Sequence, residues 1–113
     1  MTSRIDYHDR RFQPVDHDPQ HGATTVGHYH QEGNLLWAEF SGGSVLVGRL
    51  VGQVRPDDTI DASYCFVTAS GQTIAGACVS TPTVLDDGRV RLTEDWRRLD
   101  GSSGISIIEE VAP

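Results

Sequence analysis

The segment Asp87-Gly88-Arg89-Val90-Arg91-Leu92-Thr93-Glu94-Asp95-Trp96-Arg97-Arg98-Leu99-Asp100-Gly101 carries the fold in miniature. Two Asp-Gly pairs bracket it, and such pairs tolerate the positive φ of a tight reversal. Between them Val90, Leu92, Glu94, Trp96 and Arg98 alternate with Arg91, Thr93, Asp95 and Arg97. Period-two alternation marks a half-buried strand, and the mostly apolar first set is the one expected to face inward.

The same grammar extends along the chain. Turn signals recur at Gly33-Asn34, Gly42-Gly43, Pro56-Asp57-Asp58, Ser70-Gly71, Asp87-Gly88 and Asp100-Gly101. The runs between them span about 8–12 residues and are rich in Val, Ile, Thr, Tyr and Trp, the signature of an all-β meander. No long stretch keeps an i, i+3, i+4 apolar pattern. Eight strands are predicted, roughly Arg11–Asp16, Thr24–Gln31, Leu35–Phe40, Ser44–Val54, Ile60–Ala69, Thr73–Leu85, Arg89–Leu99 and Ser103–Val111. Pro82 cannot donate to a ladder, so a bulge or an edge is expected there. Hairpin-length links from the second strand onward most simply close an antiparallel up-and-down barrel, with a two-sheet sandwich as the alternative. Residues 1–10 read as a loose arm and 16–23 as a loop.

The 113 residues, of 12.3 kDa, fit one β-barrel domain spanning 1–113. Apolar residues at 37% and charged ones at 22% fit an ordered globular chain. No apolar run approaches the ~18 residues of a membrane span, and the polar start lacks a secretory core. A cytoplasmic, reducing location is therefore expected, with Cys65 and Cys78 as free thiols. A net charge of −7 argues against nucleic acid and anionic membranes as partners. All nine basic residues are Arg, which excludes Schiff-base chemistry and Lys-based phosphate loops.

Reading the Asp87-Gly88 and Gly71-Gln72 turns as two-residue hairpins places Thr81 opposite Glu94 and Val79 opposite Trp96. Ala75, Ala77, Phe66 and Tyr64 then face inward, and Cys65 and Cys78 become outer cross-strand neighbours. Across the last hairpin Ile105, Ile107, Glu109 and Val111 share the inner face. Two inner faces stay open for strands two to four. One holds His28, His30, Trp37, Glu39, Leu46, Gly48 and Leu50. The other holds Tyr29, Gln31, Ala38, Phe40, Val45, Val47 and Arg49. The first is preferred, because Trp37 would cover the gap left by Gly48.

On these faces the leading site candidates are Glu94, Trp96 and Glu109. Two carboxylates in one low-dielectric lumen cannot both ionise cheaply, so one becomes a usable acid or base near neutral pH. A carboxylate at a wet mouth, or paired with Arg98 or Arg49, is the plainer reading. His28-Tyr29-His30 puts two imidazoles on one strand face, half of a metal site. Cupins pair such a motif with a later Glu and a distant His. Here Glu32 comes too early and no His follows His30; His17 and His21 could complete a site, but they lie in the loop. Hydrogen-bonding lumen residues or plain surface is preferred, so neither a metal nor a cofactor is expected. Gly76-Ala77-Cys78-Val79-Ser80 is not a nucleophile elbow, since Cys stands for its Ser and Ser for its second Gly. Gly101-Ser102-Ser103-Gly104 lacks the helix that follows a phosphate loop. Asp57-Asp58 and Asp86-Asp87 are explained by turn chemistry.

The order of His28-Tyr29-His30-Gln31-Glu32-Gly33-Asn34, Trp37-Ala38-Glu39-Phe40-Ser41-Gly42-Gly43, Gly48-Arg49-Leu50-Val51-Gly52, Ser80-Thr81-Pro82, Leu92-Thr93-Glu94-Asp95-Trp96 and Ile107-Ile108-Glu109-Glu110 resembles a family of small bacterial barrel proteins. The resemblance covers roughly residues 24–111 and departs from the family pattern at Arg97-Arg98-Leu99-Asp100. It implies an avidin-like or lipocalin-like barrel of the calycin type. Members often carry the label n-acetylglutamate synthase. Such acyltransferases hold acetyl-CoA at a strand–loop–helix, which this all-β pattern does not offer.

The resulting expectation is a small-molecule-binding β-barrel whose ligand meets His28, His30, Trp37, Tyr64, Glu94, Trp96 and Glu109. One alternative is a cofactor-independent cyclase, isomerase or dehydratase of natural-product metabolism, with Glu94 as general acid or base and Tyr64 or a His polarising a carbonyl. Another is a packed, oligomeric interaction protein. A homodimer could be sealed by Ile74, Val67 and Ile108.

Overall fold

A computed structural model describes residues 5–15 and 24–112. The strands are β1 (Arg11–Pro14), β2 (Val26–Glu32), β3 (Leu35–Gly42), β4 (Val45–Val54), β5 (Ile60–Thr68), β6 (Thr73–Val84), β7 (Val90–Arg98) and β8 (Ser103–Glu110). Each pairs antiparallel with the next, and Phe12↔Glu110, Gln13↔Glu109 and Pro14↔Ile108 join β1 to β8. The result is a closed eight-stranded up-and-down barrel, with no helix among the described residues. Closure removes the sandwich alternative. Strand ends fall within two residues of those predicted. The loop read at 16–23, with His17 and His21, lies outside the described residues.

Pro82 sits at a local edge. The β5 ladder ends at Ile60↔Ser80, so residues beyond Ser80 pair only with β7 and the missing N–H costs no rung.

Four hairpins share one loop design, and it is not the two-residue turn expected at Asp87-Gly88 and Gly71-Gln72. Arg55, Thr68, Leu85 and Arg98 donate their N–H to Thr59, Gln72, Arg89 and Ser102, each at 2.8 Å, across three intervening residues. The third of these has positive φ: Asp58 at 71°, Gly71 at 89°, Gly88 at 88° and Gly101 at 91°. A type I turn closed by a left-handed residue gives this three-residue connection. In three loops the central Asp57, Asp87 or Asp100 also accepts the N–H of the residue two positions on.

One extra loop residue flips every side chain that follows to the other face. Ser80, not Thr81, therefore faces Glu94, and Cys78, not Val79, faces Trp96. Ala75 and Ala77 take the outer register, with Gly76 and Cys78 inside. Cys65 pairs with Ala75 and Cys78 with Ala62, so the two free thiols stand on opposite faces. On β8, Ser106 rather than Ile105 or Ile107 stands against Glu94, and Glu109 pairs with Arg91 on the outer wall. Ile108 and Ile74 share the inner register, which corrects their assignment to an outer dimer face.

A bulge decides strands two to four. Between Val45 and Val47, β4 carries one residue more than its neighbours. Its inner residues Gly48 and Leu50 belong to the preferred set. Tyr29, Ala38 and Phe40 on β2 and β3 come from the other. The ring over Gly48 is Phe40, and Trp37 is turned out, 38% exposed.

One end of the barrel is solid. Leu36, Leu50, Val54, Ile60, Val90 and Leu92 are buried there around Tyr7, which is 0% exposed. The Tyr7 hydroxyl donates to the Asp58 carbonyl (2.6 Å) and its N–H to Gln31 Oε1 (2.8 Å). Asp9 N–H donates to the Tyr29 carbonyl (2.8 Å), and Tyr29 N–H to that of Arg10 (2.9 Å). Residues 5–10, expected to be loose, are thus a plug held by satisfied backbone groups and one deeply buried ring.

Candidate functional site at the open end

Above the plug the lumen stays hollow. A cavity of about 530 Å³ opens at the end that carries the Gly42-Gly43, Ser70-Gly71 and Asp100-Gly101 turns. Tyr29, Phe40, Tyr64, Phe66 and Trp96 supply its aromatic wall, and Glu94 is its buried acid.

Glycines make room for these rings. A Cβ on Gly104 would lie 2.6 Å from Trp96 Cζ2, so the bare backbone lets the indole lie flat on β8. There Trp96 Nε1 donates to Ser106 Oγ (2.9 Å). A Cβ on Gly76 would lie 2.7 Å from the Tyr64 hydroxyl. Both glycines face large residues directly across a pair, Trp96↔Gly104 and Tyr64↔Gly76, which is how a narrow barrel accommodates them.

Glu94 sits on β7 between Ser80 of β6 and Ser106 of β8. Burial alone pushes its carboxyl from the ordinary 4.5 up to about 7. No other described residue hydrogen-bonds to it. Its charge in turn raises its neighbours, though burial is the larger cause. Cys78 is pushed to about 12, and the Tyr29 phenol stands well above its ordinary value. A thiol held that high carries almost no thiolate near pH 7 and packs as a small apolar group.

Arg98 closes the upper wall. Its guanidinium carbon lies 5.0 Å from the Trp96 ring centroid and 5.9 Å from that of Phe66. Its Nε is buried without a hydrogen-bond partner among the described residues. Burial raises the neighbouring Tyr64 phenol, while the Arg98 guanidinium, first by hydrogen bonding and then by its charge, pulls it back.

Of the residues singled out in the sequence, Tyr64, Glu94 and Trp96 come together in the lumen. His28, His30, Trp37 and Glu109 do not. The first three lie on the outer wall of β2 and β3, put there by the β4 bulge and the register it sets. Glu109 is outside because the 99–101 loop has three residues, and it pairs with Arg91 Nη2 at 2.5 Å. Reasoning from sequence passed over Phe66 as a site residue and treated Arg98 only as a counterion. Their positions two and four residues beyond Tyr64 and Glu94 on the same strand faces are the signal that finds them.

The model of the avidin-like protein family matches residues 5–111, and the chain belongs to that family. Comparison with curated proteins and with solved structures gave no match. No helix among the described residues is long and apolar enough to cross a membrane.

Proposed function

We propose that this protein binds a small organic molecule in the open half of its barrel. The observation that carries the reading is the cavity itself: about 530 Å³, aromatic-walled, with a buried carboxyl inside that has no hydrogen-bond partner among the described residues. That volume and composition suit a compact organic ligand. The ligand's flat apolar body would stack on Trp96, Tyr64 and Phe66. A carbonyl or similar acceptor would take a hydrogen bond from the protonated Glu94 carboxyl. An anionic group at the other end would meet Arg98, whose buried Nε lacks a partner among the described residues.

Titration with 8-anilinonaphthalene-1-sulfonate, an aromatic anion, tests the reading. One dye per chain should bind with a change in Trp96 emission. Ser106→Phe, which fills the cavity, should weaken binding by roughly ten-fold or more, as expected for one to two kcal/mol of lost contact. Dye binding that is indifferent to Ser106→Phe would place the dye elsewhere and sink the proposal.

A second reading rests on the Glu94 carboxyl lying near neutrality. Such a group can give and take a proton at pH 7. The barrel would then be a cofactor-independent enzyme of the cyclase, isomerase or dehydratase type, with Tyr64 beside the reacting carbonyl. A bell-shaped or sigmoidal pH–rate profile centred near 7 and abolished in Glu94→Gln would favour it over simple binding.

A further inference from the structure

We propose that the outer wall of β2 and β3 binds a divalent transition-metal ion, best matched by zinc, through His28, His30 and Glu39. The residue types are right: two imidazoles and one carboxylate make the three-ligand set that leaves a coordination position open. The strand supplies the spacing. His28 and His30 are two residues apart and share a face, with ring centroids 4.5 Å apart. The ladder supplies the third ligand, because Glu39 stands directly across from His28 and His30 across from Trp37.

The donor atoms already converge. His30 Nε2 and Glu39 Oε1 are 2.8 Å apart, and one donor atom from each of the three residues lies within 4.8 Å of the others. Zinc bonds of ~2.0–2.1 Å need ligand atoms only slightly farther apart than the His30–Glu39 pair, so the ion can replace the proton shared there. Small side-chain rotations bring in His28. A single ion pair needs one imidazole and one carboxylate; here a second imidazole is held against the first.

Surrounding groups orient the set. Asp9 accepts a hydrogen bond from His28 Nε2 (2.6 Å), which leaves Nδ1 of that ring with its lone pair for a metal. The Trp37 indole stacks on His30, with centroids 5.6 Å apart and planes 20° from parallel, fixing the plane of that ring. Glu39 and Asp9 together balance a double positive charge. All three ligands are only partly exposed, with the chain at −7 overall. The site lies outside the barrel, so it stands or falls independently of ligand binding in the lumen.

Isothermal titration of the full chain with zinc chloride in a non-chelating buffer is the test, paired with visible absorption of the cobalt(II) form. The expected result is one ion per chain. His30→Ala and Glu39→Gln should each weaken binding by roughly ten-fold or more. Glu39→Gln keeps the shape of the wall, so its loss cannot be put down to misfolding. His17→Ala/His21→Ala should leave binding unchanged. In a Trp96→Phe background, copper(II) should quench Trp37 emission at the same stoichiometry. No uptake by the native chain, uptake unchanged by Glu39→Gln, or uptake lost in the His17/His21 variant would each overturn the assignment.

Discussion

The two ends of this barrel are built from the same strands and the same turns, yet one is a core and the other a cavity. At the closed end the inward positions of β3, β4, β5 and β7 are Leu36, Val54, Ile60 and Leu92, and Tyr7 fills the axis. At the open end the same strands present Phe40, Gly48, Phe66, Trp96 and Arg98. Branched aliphatic chains interdigitate across a narrow lumen. Flat rings instead lie against glycine backbones on the wall and leave the axis empty. The difference separates the packing that holds the barrel shut from the cavity wall, which tolerates a buried carboxyl and a guanidinium nitrogen without a partner among the described residues.

Tyr7→Ala gives the harshest test of that separation. It removes a fully buried ring and its bond to Asp58, and should cost about 3–5 kcal/mol in urea unfolding. Trp96→Ala, a larger truncation, should cost less than about 2 kcal/mol, because the indole already borders empty space. Equal losses would mean that the open end is packed too.

The pH dependence of stability should come largely from the open end between pH 5 and 8. Glu94 has its folded pKa near 7, above its ordinary 4.5, so the unfolded chain gives up that proton first. Its contribution is therefore most favourable below pH 4.5 and falls as pH rises through 7, by up to about 3 kcal/mol. Denaturation midpoints of the native chain should drop across this window, and those of Glu94→Gln should stay nearly flat. Parallel slopes for the two would show that Glu94 is hydrated.

Gly48→Ala probes the wall of the open end. Its Cβ would meet the Phe40 ring, and moving that ring should cost about 1–3 kcal/mol while narrowing the lumen. Dye affinity should fall with it; stability loss with unchanged affinity would detach Phe40 from the site. The gentlest test uses the thiols. At pH 8 one cysteine, the exposed Cys65, should react with a disulfide reagent in the folded state, and the second only in denaturant, because Cys78 is buried and its pKa is near 12. Two fast thiols in the native state would mean that the open end admits the reagent as far as Cys78.

What the sequence determined by itself was everything governed by neighbours along the chain. Asp-Gly and Asn turn chemistry marked the reversals, β-branched and aromatic runs marked the strands, and the alternation Val90, Leu92, Glu94, Trp96 put the buried acid and its indole on one inward face. These follow from φ preferences and a period of two, which act over a few residues. The tertiary structure alone decided what depends on counting across the sheet. Whether a loop has two residues or three sent Cys78 and Ser80 inward and Glu109 outward, and both counts suit an Asp-Gly sequence. One bulged residue in β4 brought Phe40 over Gly48 and turned His28, His30 and Trp37 to the outer wall. The docking of Tyr7 was equally hidden, because its partners, Gln31 and Asp58, are 24 and 51 residues away. The meeting of His28 and His30 with Glu39 likewise depends on the ladder register. Such contacts are chosen by burial and closure of the whole barrel, which no local stretch of sequence encodes.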